Sequence, residues 1–131
     1  VYPVAGADMN TESYIENQNA MPLGKADMEW FAENYLNSMD EAQDTRIDLV
    51  NADLADLPPV TIIAAEIDPL RTEGETLEQK LDAAGVDVER VAYDGVTHEF
   101  FGMAAQVPEA KEAQGAAGER LRAALGSEMA N

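Results

Sequence analysis

The segment Pro58-Pro59-Val60-Thr61-Ile62-Ile63-Ala64-Ala65-Glu66-Ile67-Asp68-Pro69-Leu70 decides how the rest of the chain is read. Two prolines set the backbone extended. Val60 to Ala65 is then apolar almost without interruption, the pattern of a parallel strand covered on both faces. Pro69 forbids further pairing, so an acid is left at the strand's end. A second segment, Tyr93-Asp94-Gly95-Val96-Thr97-His98-Glu99-Phe100-Phe101-Gly102-Met103, carries the only histidine of the protein. Between them, Glu73 to Ala84 puts Gly74, Leu77, Leu81 and Ala84 on one helical face, and Gly85 stands where a C-terminal cap belongs. Val86 to Tyr93 mixes valines with Asp87, Glu89 and Arg90, which suits an edge strand guarded by charge. Strand, helix, strand at this spacing predicts a right-handed βαβ crossover.

On the N-terminal side, Val1 to Val4 reads as the end of another strand. Asp8 to Gly24 is polar and unpatterned and reads as a long ordered loop. Ala26 to Leu36 spaces Met28, Phe31, Ala32 and Tyr35 as an amphipathic helix. Trp30 falls off that stripe and either lines a pocket or rests on a neighbouring element. Asn37 to Asp48 is acidic and predicts a surface connection. A last helix begins at Pro108, with the stripe Ala110, Ala113, Ala117, Leu121 and Leu125. The expectation is a single α/β domain, residues 1–131, with a small, mostly parallel sheet of three or four strands and flanking helices.

Composition narrows the function. Twenty-six acids against eight bases give a net charge of −18. That field repels nucleic acid and anionic membranes, and it suits either a plainly solvated surface or a salty or marine setting in which self-repulsion is screened. No cysteine is present, which removes disulfides and thiolate chemistry, and one histidine makes a zinc site improbable. No metal or cofactor is expected. No apolar run approaches the roughly 20 residues of a membrane span, and no leader pattern stands at the start, so a cytoplasmic protein is expected. A small sheet with raw edges predicts a homo-oligomer, paired through the Val1–Val4 or the Val86–Tyr93 edge.

In open α/β sheets, ligands bind at the carboxyl ends of the strands. Asp68 and His98 both fall there. A carboxylate so placed fixes the tautomer of an imidazole and stabilises the imidazolium. The plainer alternative is that Asp68 caps the following helix and His98 is an ordinary loop residue. A hydroxyl nucleophile would have to be Ser13, Ser38, Ser127 or a threonine. Ser13 is the best placed, in the loop after the first strand, although a serine there also suits a turn.

The Asp68 segment, extended to Arg71-Thr72-Glu73-Gly74-Glu75, resembles the acid-bearing segment of the hormone-sensitive-lipase-like esterases of the α/β-hydrolase superfamily. Leu81-Asp82-Ala83-Ala84-Gly85-Val86 and the His98 segment resemble that family's histidine region. Tyr2-Pro3, Asp8-Met9, Ser13-Tyr14 and Trp30-Phe31 resemble the stretch after its nucleophile strand. The resemblance covers the family's second half and implies a partial α/β-hydrolase fold. It implies that Asp68 is the acid and His98 the base of a Ser-His-Asp triad acting on a small ester. It also implies a missing N-terminal half with a cap, an oxyanion hole and a Gly-x-Ser-x-Gly elbow, none of which is in this sequence. The family commonly has glycine after the histidine, and here it is Glu99. Two other functions stay open: a non-catalytic domain that oligomerises, and a small acidic binding module.

Overall fold

The computed structural model describes residues 1–126 and separates into two compact units, Val1–His98 and the residues from Glu99 onward. In the first unit β1 (Val60–Ile67) and β2 (Val88–Thr97) form a parallel pair, with Val60 opposite Val88 and Ala65 opposite Tyr93. Ile62, Ile63, Ala64 and Ala65 are buried in succession, as a strand covered on both faces requires. On β2 only Tyr93 and Val96 are buried. β1 ends two residues, and β2 four residues, beyond the expected limits.

The sheet has two strands among the described residues, where three or four were expected. Val1 to Val4 is not a strand. It meets the sheet through the Tyr2 N–H, which donates to the Ile63 carbonyl at 2.6 Å. Pro3 has no N–H to give, and Tyr2 takes φ +30°, off the extended path a ladder needs.

The first helices, α1 (Glu12–Glu16) and α2 (Lys25–Tyr35), precede the sheet. The helix between the strands, α3 (Arg71–Ala83), buries Glu73, Gly74, Leu77 and Leu81, while Ala84 is exposed as the cap. It closes in a Schellman motif: Val86 N–H donates to Leu81 O at 3.0 Å and Gly85 N–H to Asp82 O at 2.9 Å. Gly85 sits at φ +81°, where a side chain would cost about 1–2 kcal/mol. Leu77, Leu81 and Val86 form one core with Ala5, Leu54 and Ile62. Burying each such leucine contributes roughly 1.5–3 kcal/mol.

The expected loop from Asp8 to Gly24 contains α1. Its Tyr14 joins Leu23, Met28 and Leu70 in a second core. The next helix, α2, starts where the Asp27 carboxylate accepts the Gly24 N–H at 2.8 Å. Met28 is buried, but Phe31 and Tyr35 of the expected stripe are exposed. Trp30 is exposed too, with its ring edge-on to Phe31 of the same helix at 5.3 Å. Short 3-10 turns at Met39–Gln43 and Leu49–Asn51 break up the following connection.

In the second unit a 3-10 turn, Phe100–Met103, precedes α4 (Pro108–Gly126). Gln114 Nε2 donates to Phe101 O at 2.6 Å and holds the two together. Ala110 and Ala113 are buried, whereas Leu121 and Leu125 are exposed, so the expected stripe ends near Ala117. Among the described residues no helix is long and apolar enough to cross a membrane.

Candidate active site

Strand register creates the site. From Ala65 to Ile67, β1 advances two residues while its partner advances four, from Tyr93 to Thr97. The two extra residues form an irregularity of the bulge kind, which re-aims the side chains beyond it. Gly95 supplies φ +72° there, and its N–H donates to Glu66 Oε2 at 2.7 Å. Ile67 and Thr97 regain register just before Asp68 and His98.

The two side chains meet. Asp68 Oδ2 lies 2.8 Å from His98 Nδ1. The other carboxylate oxygen, Oδ1, accepts the Leu70 N–H at 2.9 Å. Asp68 is 1% exposed, and both oxygens are therefore used in a dry setting. The helix-capping role weighed for this residue is not the one it plays, because Leu70 stands at the cap of α3 and the only backbone N–H on the Asp68 carboxylate is that of Leu70, before the helix begins. An acceptor at Oδ2 assigns the proton of the neutral ring to Nδ1, leaving the Nε2 lone pair for proton transfer. The Tyr2 ring lies against the imidazole, with centroids 4.2 Å apart at 54°. Nothing in the spacing of Tyr2 announced this contact. Tyr2 makes it from a positive φ of +30°, which sequence pattern does not reveal.

Ser13 does not join that pair. Its side chain is fully buried, Oγ donates to Pro69 O at 2.6 Å and accepts the Thr72 N–H at 3.0 Å. The donor is occupied, and no hydrogen bond links Ser13 to His98 among the described residues. Ser38 is exposed and precedes the 3-10 turn at Met39. Ser127 lies outside the described residues. Asn17 and Thr72 are polar partners that sequence pattern did not single out. The signal for Asn17 was the Ser13-x-x-x-Asn17 spacing, one helical turn inside a stretch that reads as loop, and Thr72 had none.

Two further acids stand out in their own right. Glu73 is buried, with Oε1 accepting the Ala5 N–H at 3.2 Å and Oε2 without a hydrogen-bond partner. Burial pushes its carboxyl up to about 8, and nearby Asp68 and Asp48 act in the same direction. Burial likewise raises the Tyr14 phenol, helped by Glu73 and Asp68. Glu99 adopts φ +75°, ψ −5°, a left-handed conformation that gives glycine a physical advantage after the histidine.

An acid and an imidazole thus meet where the carboxyl ends of two parallel strands emerge. A family profile for the alpha/beta hydrolase fold matches residues 1–102. The carboxylesterase NlhH of Mycobacterium tuberculosis is 36% identical over 128 residues, 95% of this chain and 40% of that protein. An ethyl acetate hydrolase of Pseudomonas putida is 30% identical over 113 residues, 86% of this chain and 36% of that one. Among solved structures, EstE1, a thermostable carboxylesterase cloned from a metagenomic library, superposes with TM-score 0.88 at 34% identity over 93% of this chain and 42% of its own. The chain belongs to the hormone-sensitive-lipase-like esterase family of the α/β-hydrolase superfamily. It spans about two fifths of the length of these curated relatives.

Proposed function

We propose that this chain supplies the base and the orienting acid of a carboxylic-ester hydrolase. The observation that carries the reading is the 2.8 Å contact between His98 Nδ1 and Asp68 Oδ2. In the mechanism, a hydroxyl nucleophile gives its proton to His98 Nε2 as it attacks the ester carbonyl. Asp68 stabilises the imidazolium, which then protonates the departing alkoxide. A water activated by the same base releases the acid. Positioned proton transfer of this kind contributes about 10²–10⁴-fold.

The nucleophile and the oxyanion donors come from outside these 131 residues. Support comes from the Ser13 hydroxyl, whose proton is already held by Pro69 O. Each absent oxyanion donor forgoes about 2.7–4 kcal/mol at the tetrahedral intermediate. A short-chain ester is the favoured substrate, in line with relatives named as carboxylesterases and an ethyl acetate hydrolase.

The test is hydrolysis of a short p-nitrophenyl ester by the chain complemented with the nucleophile-bearing segment of a family member. The complemented parent should turn over, His98→Ala should fall to background, and Asp68→Asn should lose about 10⁴-fold through the wrong tautomer. Ser13→Ala should keep a measurable rate, which a missing nucleophile would not allow. A His98→Ala protein as fast as the parent overturns the reading.

A further inference from the structure

The N-terminus of α3 has an unusual supply of acceptors. The first N–H groups of a helix need partners from outside the helix, commonly a side chain just before it. Here the preceding residue is Leu70, which has no hydrogen-bonding side chain. The acceptor comes instead from α1, far away in sequence: Ser13 Oγ takes the Thr72 N–H at 3.0 Å. Thr72 Oγ1 returns the bond by accepting the Ser13 N–H at 3.2 Å. The two residues are thus locked reciprocally.

Two further bonds, one from α1 and one from its C-cap residue Asn17, reach the peptides on either side of Pro69. Ser13 Oγ donates to Pro69 O at 2.6 Å, and Asn17 Nδ2 donates to Asp68 O at 3.3 Å. Asn17 is itself fixed, because Nδ2 also donates to Ser13 O at 3.1 Å. Outside this group, Arg71 is ion-paired with Glu16 and donates to Glu66 O at 2.9 Å, bracing α1 against the end of β1. The carbonyls of Asp68 and Pro69 are therefore both held, and none of these bonds touches the Asp68 carboxylate.

We infer that Ser13, Asn17 and Thr72 are positioning residues that set the Asp68 carboxylate on His98 Nδ1, so that α1 acts on the imidazole through the Asp68–Pro69 backbone. The inference rests on the proposed Asp68–His98 reading. The physical argument is one of leverage. A carboxylate that must meet Nδ1 at 2.8 Å depends on its own backbone torsions, and a rotation of the Asp68 peptide swings both oxygens. With Oδ1 fixed on the Leu70 N–H and the Asp68 carbonyl also taking the Arg71 N–H at 3.2 Å, the turn holds this peptide locally, and the Ser13 and Asn17 bonds add the hold from outside it. A serine so placed would be spent on geometry, which accounts for a fully buried hydroxyl that does no proton transfer.

His98 is the only histidine, so its imidazole gives one unambiguous set of NMR signals. The experiment records the Nδ1–H proton and both ring 15N shifts in the intact chain and in Ser13→Ala, Asn17→Ala and Thr72→Ser. Far-UV circular dichroism and the methyl signals of Ile62, Leu77 and Leu81 monitor the fold. The parent should show the Nδ1–H tautomer with a downfield, hydrogen-bonded proton. Ser13→Ala and Asn17→Ala, still folded, should move that proton upfield and admit the Nε2–H tautomer. Thr72→Ser keeps the hydroxyl and should match the parent. Should Ser13→Ala unfold, the half-buried Asn17→Ala decides alone. Folded variants with parental imidazole signals overturn the positioning role and leave the Asp68–His98 pair intact. A parent without the Nδ1–H tautomer overturns both.

Discussion

Ile67 and Thr97 face each other as the last register partners of the two strands, and the residue that follows each strand is half of the Asp68–His98 pair. Their alignment depends on the irregularity at Asp94-Gly95, without which Thr97 would lie out of step. Gly95 is the residue to change. Its φ of +72° costs an L side chain about 1–2 kcal/mol, and open space around its Cβ position removes any steric explanation. Gly95→Ala should lower the free energy of unfolding in urea by about 1–2 kcal/mol and weaken the His98 Nδ1–H signal. A variant equal to the parent in both would show that the irregularity does not depend on glycine.

Glu99 poses the opposite case. A non-glycine residue holds φ +75° immediately after the histidine. Glu99→Gly should relieve that strain and raise stability by roughly 1 kcal/mol, the gain being reduced by the freer unfolded chain. Urea midpoints of the two proteins check it, and a loss of stability would mean that the glutamate side chain makes compensating contacts.

Glu73 predicts a pH dependence whose sign is fixed. Its carboxyl is raised from 4.5 to about 8 in the folded chain, chiefly by burial. The folded state therefore holds this proton more tightly than the unfolded state. The stability it contributes is fully present below about 4.5 and is lost as pH rises through about 8. The slope approaches about 1.4 kcal/mol per pH unit inside that window. Glu73→Gln keeps an acceptor for the Ala5 N–H and carries no charge. It should remove this part of the slope, so that parent and variant differ more in urea midpoint at about pH 9 than at about pH 5. Equal differences at both values would refute a buried, titrating Glu73.

The parallel unit was legible because its signals are local. Consecutive apolar residues at Ile62 to Ala65, the Leu77 and Leu81 spacing, and Gly85 each follow from the chemistry of a few neighbours. The pairing of Asp68 with His98 was legible only as a shared edge, since a register shift cannot be counted from sequence. Long-range features were the ones that failed. A backbone bond from Tyr2 does not make a strand, and polar α1 hides its purpose until Thr72 is seen beside Ser13. Phe31, Tyr35 and Leu121 have the right spacing for burial, but periodicity says which face is apolar and not whether anything covers it.

Charge makes a prediction about solvent. The formal net charge of −18 implies self-repulsion in the folded state, and sodium chloride shortens its range from about 10 Å at 0.1 M to about 3 Å at 1 M. Several acids already have local partners, such as Asp44 with Arg46 at 2.7 Å and Glu78 with Arg90 at 2.8 Å. Such pairs near the surface weaken as salt rises, but each contributes little to begin with. The uncompensated acids outnumber them, so screening wins. The melting temperature should climb between low and molar salt, and a flat or falling curve would remove any case for adaptation to brine.

Association tests the edges left by a two-stranded sheet. Charged side chains on an edge discourage pairing with another chain, and Glu89 and Arg90 stand on β2. Val1 and Val4 offer no such protection and are 49% and 46% exposed. Their segment lies beside β1 without forming a ladder, joined to it at the Tyr2–Ile63 bond. Of the two edges, Val1–Val4 is therefore the better candidate for pairing, with a second copy the partner to look for. Light scattering at micromolar concentration should give a mass above that of one 14.1 kDa chain. Val4→Lys should return it to the monomer, because a lysine there must either lose its hydration or block the approach. The reverse outcome, an associated Val4→Lys protein, would move the interface elsewhere, and a monomeric parent would end the oligomer prediction altogether.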